Sequence, residues 1–232
     1  MKHLKTPGLT ALILVAFMVI AASASANATM CSTDQNDGNN EHAPLTACPG
    51  GPAGSFVYSG KIKATVTYPP GAVFKATDAD GTTRSTRTCT TSTGEGTVNG
   101  TTGTGSLTSF TFSTCSAPQC PSGVTATTTA SASNPWPVTA TTTEASKASG
   151  NGTVDVKNFT WQFDCNVFGL HAICRYENAE AQLDFDGSDT APELSANTLL
   201  LMSEAGSSSL CGQHASWTAT YRITRPASLW VT

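Results

Sequence analysis

The chain carries little charge of either sign. Its 12 lysines and arginines against 16 acidic residues leave a formal net charge of −4, and charged residues make up only 12% of the sequence. The basic residues are scattered, so there is no electrostatic footprint for nucleic acid, and a membrane-surface role meets the same objection. Long apolar runs are equally scarce: beyond the N-terminal segment nothing approaches the roughly 20 apolar residues that a spanning helix needs. No later segment repeats its apolar residues at helical spacing, which argues against an α-rich fold. Catalytic signatures are missing as well. There is no G-x-S-x-G elbow, no H-E-x-x-H pair and no glycine-rich phosphate loop opening a helix, and GSSSLCGQH before Ala215 lacks the strand-to-helix context of a serine nucleophile. No cofactor is implied.

What is present begins at the N-terminus. MKHLK supplies a short positive region, and the apolar stretch from Leu9 to Ala22 is followed by SASANA. That order reads as a secretory signal, with small-x-small cleavage frames at Ala24-Ser25-Ala26 and Ala26-Asn27-Ala28, so an exported chain begins at Asn27 or Thr29. All 8 cysteines lie downstream. An even number in an exported chain points to an oxidised framework. Residues 27–54 are rich in turn formers and read as an irregular arm, and 55–232 as one β domain.

In that domain the dominant signal is alternation. In KIKATVTY, Ile62, Ala64, Val66 and Tyr68 share one face while Lys61, Lys63, Thr65 and Thr67 share the other. The same period of two recurs in Thr83 to Thr91, Leu107 to Cys115, Val124 to Ala132, Val138 to Ala145, Thr153 to Val156, Phe159 to Cys165, Ile173 to Asn178, Ala181 to Asp186, Thr198 to Ser203 and Ser216 to Arg225. Turn dipeptides such as Asp80-Gly81, Asn99-Gly100, Asn151-Gly152 and Asp186-Gly187 separate many of these segments. The expected class is therefore all-β: an antiparallel β-sandwich or flattened barrel of roughly ten strands, stabilised by disulfides. Trp136, Phe159, Trp161, Phe163, Trp217, Tyr221 and Ile223 are its expected core.

CNVFGLHAIC, Cys165 to Cys174, holds two cysteines and His171 close together. A zinc site wants about four ligands on tight turns, and a cysteine nucleophile wants a reduced thiol, so a disulfide across a hairpin is the better reading. A hairpin centred near Thr102 likewise sets Cys89 opposite Cys115, and Cys31 with Cys48 would tie the arm, which leaves Cys120 for Cys211. In QLDFDGSDTAPE, Asp184, Asp186, Gly187 and Glu193 take the spacing of a calcium loop. Gln182 holds its first position and no helices flank it, so it reads as a strand turning at Asp186-Gly187. Asp78 and Asp80 before Gly81 read the same way. The N-x-[ST] sequons at Asn27, Asn99, Asn151 and Asn158 matter only in a glycosylating host.

NPWPVTAT from Asn134, the Trp161 to Cys174 segment and the ending SWTATYRITRPASLWV from Ser216 resemble small exported all-β proteins of actinobacteria, a group of unknown function. The resemblance covers the C-terminal half and implies no catalytic residue. The acidic arm from Asp34 to Glu41 departs from that pattern.

The functional expectation is a secreted or cell-envelope, non-catalytic module that contacts a surface, polymer or protein partner, with Phe168 and Leu170 at a loop tip as the contact. The alternatives are a binder of small apolar ligands in a barrel mouth or sheet crevice, and a hydrolase using dispersed acids such as Glu144, Glu177, Glu180 and Glu204. A deep apolar pocket favours the binder, paired carboxylates in a cleft the hydrolase, and a solid core beneath a hydroxyl-rich face the module.

Overall fold

The computed structural model describes residues 26–34, 45–67, 69–203 and 211–232. The expected leader, the centre of the arm, Tyr68 and Glu204 lie outside them. In chain order the elements are β1 (Ala26–Asn27), β2 (Met30–Ser32), β3 (Phe56–Val57), β4 (Gly60–Val66), β5 (Ala72–Thr77), β6 (Thr83–Asn99), β7 (Thr104–Ser116), β8 (Val124–Thr128), β9 (Trp136–Thr142), α1 (Glu144–Lys147), β10 (Gly152–Val167), β11 (Leu170–Asp186), β12 (Glu193–Ser203), β13 (His214–Arg225) and β14 (Trp230–Val231). The fold is all-β, as the alternation predicts. Where a strand was expected to run to Ala145 it stops at Thr142, because Thr143 caps the single helical turn α1.

One antiparallel sheet of 11 strands dominates. The pairings run β6–β7–β9–β10–β11–β12–β13 around a ring, and β13 returns to pair with β4 and β5, which both pair with β6. The sheet is therefore closed, an up-and-down barrel. Two ring positions are each filled by two short strands laid end to end. β4 and β5 pair with successive stretches of β6 and of β13. β8 and β9 pair with successive stretches of β10. Closure removes the exposed edges that an open sheet of this width would have to protect.

The barrel interior is apolar and its exterior polar. Trp136, Phe159, Trp161, Phe163, Trp217, Tyr221 and Ile223, the expected core, are all buried. On β13 the opposite face shows Ser216, Thr218, Thr220, Arg222 and Thr224. The segments Thr153 to Val156 and Phe159 to Cys165, expected as separate strands, are one strand whose inward face changes parity. Val154 and Val156 point in, then Phe159 and Trp161, and Asn158 between them adopts φ +59°. Such an irregularity bends a strand without ending it. No helix among the described residues is long and apolar enough to cross a membrane.

Both chain ends build a lid. β14, β2 and β3 form a three-stranded sheet over the barrel end where β10 begins. Thr29 and Thr232 exchange backbone hydrogen bonds of 2.8 and 2.9 Å, and Ala28, Met30, Leu229 and Val231 are buried. Residues 26–32 thus belong to the fold and not to an irregular arm. The alternation that drives this is too short to stand out in sequence.

The four disulfides are Cys31–Cys48, Cys89–Cys115, Cys120–Cys165 and Cys174–Cys211. Two of the expected pairings are replaced, since Cys165 does not bridge Cys174 and Cys120 does not bridge Cys211. The cause is register. The β10–β11 hairpin continues to Val167 opposite Leu170, which leaves only Phe168 and Gly169 in the turn. That setting puts Cys165 opposite Ala172 and Cys174 opposite Phe163. A direct Cys165–Cys174 pair would need two more residues in the loop.

Candidate functional site

A barrel of fixed strand number has a nearly fixed interior width, so side-chain size decides whether a layer is full. At the end where β10 terminates, Phe74, Phe112, Trp161, Phe163 and Tyr176 fill the interior, with ring centroids of Phe74 and Trp161 3.6 Å apart. Toward the lid the inward residues are small: Ala64 on β4, Gly94 and Gly96 on β6, Ala140 on β9, Val154 and Val156 on β10. The result is an apolar cavity of about 100 Å³. Phe110, Phe159, Trp217 and Tyr221 line it on the side of the filled layer, and Met30 and Leu229 on the side of the lid. Gly94 suits this packing, because a Cβ there would stand 3.0 Å from the Phe110 ring, which would have to shift by a few tenths of an ångström.

The cavity offers almost nothing to hydrogen bond. The Tyr221 hydroxyl donates to Ser92 Oγ at 2.9 Å, and Ser92 donates in turn to the Thr111 carbonyl at 2.8 Å. Burial pushes the Tyr221 hydroxyl well above its ordinary value, so it stays neutral at any physiological pH. No charged side chain lines the space. It can hold an apolar group, and it has no means to move protons or stabilise developing charge.

A second feature at the filled end escaped the sequence reading. Arg87 shares the inward parity of Ser85 and Cys89 and is 2% exposed. Its Nη2 donates to Cys174 Sγ at 3.3 Å and its guanidinium lies 5.1 Å from the Phe163 ring centre. Burial lowers its pKa, and Tyr176 opposes that shift. Arg87 Nε and Nη1 and Ser85 Oγ find no hydrogen-bond partner. Parity with Cys89 was the available signal, masked by the usual assumption that arginines face water.

The other sequence-selected residues do not converge. His171 is paired with Asp164 at 2.9 Å on the exposed hairpin. Glu144 pairs with Lys147 at 2.7 Å on the surface, and Glu177 and Glu180 are exposed on β11. In the calcium-like segment, Gln182 Nε2 donates to Asp155 at 2.8 Å, Asp184 faces outward on β11, and Glu193 lies 3.8 Å from Arg222. Among the described residues no three His, Cys, Asp or Glu side chains cluster to hold a metal.

Phe168 and Leu170 are 85% and 77% exposed at the hairpin tip. Phe168 has φ +52° and Gly169 φ +88°, the pattern of a type I′ turn that prefers Asn or Gly at both places. The tip is braced from below. Phe168 N–H donates to Ser122 Oγ, Gly169 N–H to Asn166 Oδ1, and Cys120–Cys165 ties the neighbouring loop. Phe168→Asn is therefore expected to stabilise the fold by about 0.5 to 1 kcal/mol, read as a rise in the urea midpoint at constant slope. A fall in the midpoint would show that the ring packs on something in the native state.

No family profile, curated protein or solved structure matches this chain.

Proposed function

We propose that this is an exported, non-catalytic protein that carries or senses a small apolar molecule in the lid end of its barrel. Export is supported by the leader-like N-terminus and by four disulfides, which persist in oxidising compartments. Of the two cleavage frames, the first keeps Ala28, which is fully buried and whose N–H donates to the Ala140 carbonyl at 3.0 Å. The exported chain would accordingly begin at Asn27.

Binding is supported by one observation above the others: an apolar cavity in a barrel that is otherwise densely filled. An empty apolar space of about 100 Å³ costs about 2 kcal/mol at the usual ~24 cal/mol per Å³, and a ligand that fills it recovers that energy. Engineered dry cavities of about 150 Å³ take up benzene, so this smaller space suits a slimmer group such as a short alkyl chain.

Ala64→Leu tests the reading. Leucine projects into the cavity from β4, and the variant is expected to keep its stability within about 1.5 kcal/mol while losing uptake of small hydrocarbons at least about tenfold by calorimetry or methyl NMR. Undiminished binding in Ala64→Leu would remove the cavity as the site.

The surface-module reading stands second, carried by the Phe168 and Leu170 tip. Its polysaccharide form has less support, since every tryptophan is buried, as are Tyr58, Tyr176 and Tyr221, and among the described residues no such ring is left on the surface to stack on a sugar.

A further inference from the structure

The barrel wall beside the cavity is irregular at two places. The β6–β7 ladder shifts register between Glu95 and Gly96, and the β13–β4 ladder shifts between Ile223 and Arg225. Both irregularities border the same stretch of β4, where Ile62 stands opposite Gly96 and Lys63 opposite both Glu95 and Arg225. Bulges of this kind are common at barrel rims, where they re-aim side chains. Here they leave an outer recess of about 350 Å³. Ile62, Gly96 and Thr97 line both this recess and the cavity, so the two spaces adjoin between β4 and β6.

The chemistry differs between the two spaces. Inside, no charged group is present. In the recess stand Lys61, Lys63 and Arg225 against a single acid, Glu95, whose carboxylate pairs with Lys63 at 2.7 Å. Lys61 and Arg225 carry charge beyond what Glu95 neutralises, and this in a chain whose net charge is −4.

We propose that the ligand is an anionic amphiphile, its short apolar chain in the cavity and its negatively charged head in the recess against Lys61 and Arg225. This rests on the cavity being the binding site and adds the class of molecule. An apolar space with few hydrogen-bonding groups rejects a charged head, which must stay in water or meet a counter-charge. The recess supplies that counter-charge next to the apolar space, and its partial exposure spares the head full desolvation.

The test compares hexanoate, hexanol and hexylammonium at pH 7 by calorimetry, using the intact oxidised protein and Lys61→Gln/Arg225→Gln. Hexanoate is expected to bind about fivefold more tightly than hexanol and hexylammonium most weakly, with only hexanoate weakened by added salt. The double variant should lose that fivefold preference and bind hexanol as the unaltered protein does, which also shows that it is folded. Equal affinity for hexanoate and hexanol, or a preference that survives the double substitution, would overturn the anionic head and leave the cavity reading intact. Binding of none of the three, with Ala64→Leu indistinguishable from the parent, would overturn both.

Discussion

Replacing Cys174 and Cys211 together by alanine is expected to lower unfolding free energy by about 4 kcal/mol. The bridge spans a sequence separation of 37, and the loop-entropy relation gives roughly that value for such a loop. The substitution also takes away the sulfur that accepts from Arg87 Nη2, leaving a buried guanidinium with one fewer partner, so the loss should not fall below the entropic figure. Cys120–Cys165, separated by 45 residues, should cost a similar amount when removed. Cys31–Cys48 spans only 17 and should cost closer to 3 kcal/mol on the same relation. Denaturant unfolding of the double variants gives the ranking, and a non-reducing peptide map gives the pairing. A peptide joining Cys165 to Cys174 would contradict the two-residue turn at Phe168-Gly169 and, with it, the register of the longest hairpin.

The second large effect is expected at Trp217. Its indole is 1% exposed, stacks on Phe159 with centroids 5.0 Å apart, and meets Phe74, Phe110, Phe112 and Tyr221 within 6.4 Å. Trp217→Ala should cost about 3 to 5 kcal/mol, the range for removing a buried aromatic from a core that relaxes only partly. Because Trp217 also lines the cavity, the new void would join the old one. Indole or benzene should then bind and restore part of the stability, with the midpoint rising as ligand concentration rises. Trp217→Phe should be far milder. Trp217 Nε1 has no hydrogen-bond partner, so the phenyl ring gives up area but also removes an unsatisfied donor. A Trp217→Ala loss below about 1 kcal/mol would refute the assignment of this residue to the centre of the core.

Much of the fold is legible locally. FTWQFDC and SWTATYRI alternate so plainly that their inward residues can be named, and those residues are the buried ones. Asp186-Gly187 and Asn99-Gly100 stand at strand ends, where their turn chemistry places them. Other features are illegible for definite reasons. Arg87 obeys the alternation yet violates the expectation about charge, and only its neighbours Cys174, Phe163 and Tyr176 from other strands make the position tolerable. Ala64, Gly96, Ala140 and Val154 look unremarkable one at a time. They matter because closure brings them to the same level of one barrel, and their small volumes then add up to a void.

The sequence by itself determined the leader-like N-terminus, the oxidisable cysteine set, the all-β class and the identity of the main core residues. Each of these is encoded within a few neighbouring residues, by composition or by the two-residue period of a strand. The tertiary structure alone decided that the sheet closes, that β2 and β14 roof it together, which cysteines meet, and where space is left inside. Those outcomes depend on register summed around a ring, and one turn two residues shorter changes which side chains stand opposite each other. Cys165 and Cys174 lie near each other in sequence, yet that turn gives each a partner from a different part of the chain.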